Sequence, residues 1–171
     1  MHVCTAEFFL VRHTLPQGTV IRSSDLAADG GLVLAGGIDD DLIYIDRLDA
    51  AGNRSWGKAL DVRRDYSVGP TYHQPAFSHD AACLPDGRIM LVGQAGILNY
   101  DTCQYPTRHF VVPGNDGTIE LDRTEYGNAR QERWNSVLPL SNGTVLLSGG
   151  VCITASRSGI SWSMIWKRIR S

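Results

Sequence analysis

The chain has no run of about 18 apolar residues, the length a membrane-crossing helix needs. Its one N-terminal apolar run, Phe8 to Val11, is too short for a secretory signal and lacks a cationic start. The expectation is a soluble, cytoplasmic protein, or a secreted one if a signal peptide has been removed. A charge of one sign is missing too. With 16 Lys and Arg against 18 Asp and Glu, no overall field draws the chain to nucleic acid or to an anionic membrane, and neither is expected as a partner.

Paired cysteines are also absent. Cys4, Cys83, Cys103 and Cys152 are widely spaced with no CxxC, which leaves neither a zinc motif nor a redox motif and favours buried free thiols. There is no Walker A sequence, no GxGxxG and no GxSxG elbow, so nothing points to a cofactor, and none is expected. No stretch shows sustained helical periodicity with caps, which leaves essentially no helix. Low-complexity runs are missing as well. At 43% hydrophobic and 20% charged residues, the composition is that of a folded domain.

What is present is a phrase used three times. "DGGLVLAGG" at 29–37 returns as "DGRIMLVGQ" and "NGTVLLSGG". Their turn glycines, Gly30, Gly87 and Gly143, are separated by 57 (87 − 30) and 56 (143 − 87) residues, which is the mark of a repeat architecture. Asp-Gly or Asn-Gly supplies the two residues of a tight hairpin turn, since both types tolerate the positive φ that such turns require. The apolar runs that follow, Leu32 to Ala35, Ile89 to Val92 and Val145 to Ser148, suit strands buried on both faces.

The strands before the turns are expected at "LAA", "ACL" and "LPL", where two prolines mark a strand start or an irregularity. Two further strands joined by a Gly-containing turn complete each unit as a four-stranded antiparallel meander. The N-terminal "EFFLVRHTLPQGTVIR" reads as the last two strands of such a unit with a turn at Pro16 to Gly18. The C-terminal "SMIWKRIRS" reads as a third strand whose charges suit a solvated edge.

A strand ending in Gly36-Gly37, followed by Tyr44 and Trp56, resembles the kelch-type β-propeller blade. "DGGLVLAGG" with "DLIYIDRLDAAGNRSW" also resembles bacterial propeller repeats built on Asp-Gly turns. The resemblance implies an all-β, propeller-like array with about three four-stranded blades per chain. Residues 1–171 form one repeat domain: a hairpin of an incomplete blade at 1–22, blades at 23–79 and 80–135, and an incomplete blade at 136–171. A threefold closed fold, a β-trefoil or β-prism, is the alternative for three units. Ragged ends suggest a homodimer that completes a six-bladed ring through an apolar interface including Phe8, Phe9, Trp162 and Trp166.

Propeller geometry sorts the connections, placing short Gly turns at one end and long loops at the other. The richest long loop, Asp61 to Asp80, holds Arg64, Tyr66, Tyr72, His73, Gln74 and His79. Tyr100, Asp101, Tyr105 and Arg108 face them from the next unit. Aromatic rings with polar tips beside hydrogen-bonding side chains suit a glycan or a peptide. The expected function is a non-enzymatic binding module, with a glycan-active hydrolase or lyase using carboxylate and His groups as the alternative. His79, Asp80 and Cys83, with His73, are the only cluster with metal-ligand or acid-base types, yet their spacing assigns no metal. Asp39 to Asp41 read as a solvated hairpin tip.

Overall fold

The computed structural model describes residues 11–39, 42–61, 76–95, 107–125, 131–156 and 159–170, the backbone alone for 107, 131 and 151–170. They form eleven strands in three antiparallel sheets. The first sheet has β1 (Thr19–Leu26), β2 (Leu32–Ile38), β3 (Leu42–Leu48) and β4 (Arg54–Leu60) in that spatial order. The second repeats it with β5 (Phe77–Cys83), β6 (Ile89–Ala95), β7 (Thr107–Pro113) and β8 (Ile119–Glu125). The third has β9 (Gln131–Pro139) and β10 (Thr144–Ser156), with β11 (Gly159–Arg170) at its edge. Among the described residues no helix is long and apolar enough to cross a membrane.

The Asp-Gly turns are one residue longer than the sequence suggests. Ala27 donates its N–H to the carbonyl of Gly31, and Gly30 donates to Ala27, which encloses a three-residue loop. The same pair of bonds closes the loops at Leu84–Arg88 and Leu140–Thr144, and again at Asp49–Asn53 and Gly114–Thr118. Only the glycine of each loop has positive φ, between 74° and 90°, so the loop is a tight turn followed by a one-residue bulge at Gly. The acidic residue is needed for a different reason. Asp29, Asp86 and Asp116 each accept, on a carboxylate oxygen, the N–H two residues ahead, and Asn142 does the same with its amide oxygen. Pro85 sits first in its loop, where a fixed φ suits the turn.

A second recurring device lies at the far end of each sheet. The first strand carries a bulge, after Ile21, Ser78 and Trp134, that puts Arg22, His79 and Asn135 outside the Cα register of the ladder. Opposite each bulge stands a glycine, Gly36, Gly93 or Gly149, and a Cβ there would run into the carbonyl of Val20, Phe77 or Arg133. The strand-ending glycine of the repeated phrase therefore admits a backbone, and does not make a turn. Ser78 supports its bulge by donating to the Asp80 carbonyl at 2.9 Å.

The sheets pack in series, first on second and second on third, with β1 against β5 and β5 against β9. Strand alternation decides what each face buries. Val33, Ala35, Ile43 and Ile45 of the first sheet meet Ile89, Leu91 and Val111 of the second in one core. Met90, Val92, Phe110 and Val112, on the other face, meet Trp134, Val145 and Leu147 of the third in another. Polar contacts reinforce both junctions: Asp25 accepts the Cys83 N–H at 2.7 Å, and Asp80 accepts those of Val137 and the Ser136 hydroxyl at 3.0 Å. Trp56 donates its indole N–H to the Asn115 carbonyl at 2.7 Å.

Three expectations are corrected. "TVIR" is the start of β1, the first strand of the first sheet, and not the end of a separate hairpin. The third apolar strand, expected from Val145 to Ser148, extends to Ser156, and β11 begins at Gly159, ahead of "SMIWKRIRS". Among the described residues the sheets do not close on one another, so neither the threefold alternative nor the closed ring of a propeller is formed. Burial on both faces holds for β6, whereas β2 alternates.

Two measurements check this account. Gly93→Ala forces a Cβ against backbone and lowers stability by about 3 kcal/mol in urea unfolding. The carboxyls of Asp29, Asp86 and Asp116 are held below the ordinary 3.8. For Asp29 the Gly31 N–H leads and the Arg47 guanidinium follows; for Asp86 the Arg88 side chain leads; for Asp116 the Thr118 N–H leads. Their stabilisation is complete above about pH 4 and is lost as pH falls through the depressed values. Replacing all three with Asn, the residue the third turn already uses, makes the urea midpoint less sensitive to acid over that range.

Candidate functional site

The two ends of the sheets differ in what their polar groups are doing. At the turn end they are consumed locally. Arg47, buried in β3, grips Asp29 with one nitrogen at 2.6 and 2.7 Å from its two oxygens, and Arg88 reaches Asp86 at 2.6 Å. Asp49 accepts the N–H groups of Ala51 and Asn53. Turn carboxylates committed in this way have little left for a ligand.

At the opposite end, which carries the connections that include 62–75 and 96–106, side chains from all three sheets converge. The Arg22 guanidinium lies 4.0 Å above the Phe77 ring. Phe77 meets His79 edge-to-face at 4.7 Å between centroids. Gly37 makes room for it, since a Cβ there would lie 3.0 Å from that of Phe77. Gln94 stands cross-strand between Phe77 and Arg108. From the third sheet, Glu132 forms an ion pair with Arg108, Nε and Oε2 3.0 Å apart. The Arg108 guanidinium also lies 5.2 Å from the Trp134 ring centroid.

His79 occupies the bulge of β5, outside the Cα register of the ladder, and its ring meets this cluster. Its pKa is lowered below 6.5, first by burial, then by the charge of Arg133 with a smaller push from Arg22, against an opposing hydrogen bond with Gln94. The ring is therefore neutral at neutral pH. Its Nε2 has no hydrogen-bond partner among the described residues. That nitrogen is closed to solvent, so the neutral imidazole stands as the buried support of an aromatic face and two guanidinium groups, which can meet a polar group.

Of the expected binding residues, His79 and Arg108 are described, and both stand at this end, on strands β5 and β7 instead of in loops. Arg108 is committed to the junction between the second and third sheets. Arg64, Tyr66, Tyr72, His73, Gln74, Tyr100, Asp101 and Tyr105 lie outside the described residues. Asp80 and Cys83 leave the site. Asp80 serves the third sheet, and burial, helped by the nearby Asp25 charge, pushes the Cys83 thiol up to about 11, which removes it as a nucleophile at neutral pH. Among the described residues no three His, Cys, Asp or Glu side chains gather to hold a metal.

Sequence reasoning missed Arg22, Phe77, Gln94 and Arg133. A signal was available for the first: Arg22, His79 and Asn135 are separated by 57 (79 − 22) and 56 (135 − 79) residues, the period of the turn glycines. The position recurs, although its residue type does not.

The electrostatics can be checked directly. The unfolded chain takes up a proton on His79 near pH 6.5 while the folded chain resists it, so stability falls as pH drops below about 6.5. In an NMR titration the His79 ring has its midpoint below 6.5, and Arg133→Gln raises it.

No family model matches the chain, and no curated protein matches it.

Proposed function

We propose that the chain is a binding module without catalysis of its own, built from consecutive blades of a kelch-like, Asp-Gly-turn propeller, and that it takes a polar ligand, a glycan or a peptide segment, at the long-connection end. The observation that carries this reading is the contrast between the two ends. One spends its carboxylates and amides inside its own turns, while the other brings Arg22, Phe77, His79 and Arg133 together from three separate sheets.

The scaffold part of the proposal is supported by the repeat period, by the serial packing of the sheets, and by the contacts of β1 with β5 and of β5 with β9. In an open array of blades such contacts put the first strands on the axial side, and the bulges then turn one residue per blade toward the axis. The ligand part is supported by composition. Aromatic faces beside cationic and neutral hydrogen-bonding groups recognise sugar rings, backbone amides and carboxylates. Tyr72 and His73, in the connection that enters β5, are proposed to belong to the same site.

Arrays of glycans and of peptides, probed with the whole chain, identify the ligand class. Against the best ligand, Tyr72→Ala combined with His73→Ala is expected to weaken binding at least about tenfold, roughly 1.4 kcal/mol, and His79→Ala to do so independently. Unchanged affinity in both variants, with the fold intact by circular dichroism, overturns the assignment of the site.

A further inference from the structure

The first strands of the three sheets pack in order, β1 on β5 and β5 on β9, so the repeat fixes which side chains meet at each step. At the first step the bulge residue Arg22 sets its guanidinium 4.0 Å over the ring of Phe77. Phe77 stands two residues ahead of the next bulge residue, His79, and meets it edge-to-face. The place of Phe77 is taken in the third sheet by Arg133, 56 residues on (133 − 77) and again two ahead of the bulge residue, Asn135. The second step therefore repeats the first, with His79 for Arg22 and Arg133 for Phe77. One row of side chains crosses the three sheets in the order Arg22, Phe77, His79, Arg133, Asn135.

The charges along this row are of one sign. Arg133 and, more weakly, Arg22 act on the imidazole between them, and among the described residues no carboxylate opposes them there. The two acids closest in sequence are engaged elsewhere: Asp80 accepts from Val137 and Ser136, and Glu132 pairs with Arg108. Both row arginines make further contacts; what they bring to the row is their charge. Gln94 holds its centre. It replaces the glycine found at the same place in the other sheets, Gly37 and Gly150, and its side chain hydrogen-bonds His79. The one departure from the Gly-Gly doublet thus occurs where the imidazole needs a partner.

We propose that the ligand of this end carries a carboxylate, received between Arg22 and Arg133, and that Asn135, an exposed side-chain amide, belongs to the same site. The proposal rests on the binding reading above and adds the charge of the ligand. A guanidinium–carboxylate contact is about twice as strong as one between neutral groups, and the Asn amide offers two further donors. Uronic acids and acidic peptide side chains both supply this group, and matched probes separate the two sources.

Calorimetry on the whole chain compares glucuronate with glucose, and end-blocked glutamate with end-blocked glutamine. The acid of at least one pair is expected to bind about tenfold more tightly than its neutral partner, and the pair that shows this names the source. Arg22→Gln and Arg133→Gln are each expected to remove most of that preference while leaving the neutral probe unaffected, and Asn135→Ala to weaken the acid about threefold. Arg22→Lys, which keeps the charge, retains the preference, so a merely structural role for Arg22 is told apart. Arg123→Gln, at a 61% exposed side chain on the outer strand β8, leaves it unchanged. Neutral probes that bind here as well as acids, and that Tyr72→Ala with His73→Ala weakens, overturn the proposal while the binding reading stands. An acid preference that survives both arginine substitutions, or that Arg123→Gln also removes, overturns it as an effect of overall charge. Failure of all four probes overturns it too, and blank glycan and peptide arrays then take the binding reading with it.

Discussion

The structure depends on a close approach of backbone to backbone. In each sheet the bulged first strand lies so near the second that only glycine fits opposite the bulge, at Gly36, Gly93 and Gly149. The constraint is steric and therefore absolute for this geometry, because the atom a Cβ would strike is a main-chain carbonyl that cannot swing aside. The side-chain periodicity of the first strand shifts by one at that point. Residues before the bulge and residues after it consequently face different ways, and the bulge residue faces neither neighbour.

From that shift the rest follows. After the bulge, β1 and β5 can aim a carboxylate, Asp25 or Asp80, at the first strand of the following sheet. At the bulge itself, Arg22 and His79 fall outside the ladder's register and meet the ring of Phe77. Packing and site thus share one cause. The apolar strands β2, β6 and β10 supply the core, β6 through both faces and β2 and β10 through one face each, and the ordering of Val, Ile and Leu along them sets which neighbour each residue meets.

The same shift explains how much was legible in the sequence. The three turn glycines, the apolar strands after them and the all-β character could be read directly, since each rests on local chemistry. β1 could not be read as one strand. "TVIRSSDL" lies between the Pro16–Gly18 turn and "LAA", with a bulge at Arg22 inside it, so the sequence pairs "TVIR" with the turn before it. The turn type was off by one residue because Asp-Gly serves both the two-residue loop and the three-residue loop, and only the hydrogen bonds separate them. For the site, loop composition drew attention to 61–80. The described cluster draws instead on residues as distant in the chain as Arg22 and Arg133, whose meeting depends on how sheets stack, which no local pattern records.

The second sheet exposes its outer strand β8 but has nothing to spare at its centre. β6 is buried along its whole length, with one row of side chains in each core, so the second sheet is held by its neighbours as much as by its ladders. In a quasi-linear array, stability is a sum of units and of junctions. A unit sandwiched in this way has little independent stability, while each outer sheet has one junction to lose. Cooperativity then belongs to the junctions. Weakening either one separates a single sheet from a pair, and the energetic coupling between the two outer sheets passes through the second sheet, by way of β5, β6 and β7.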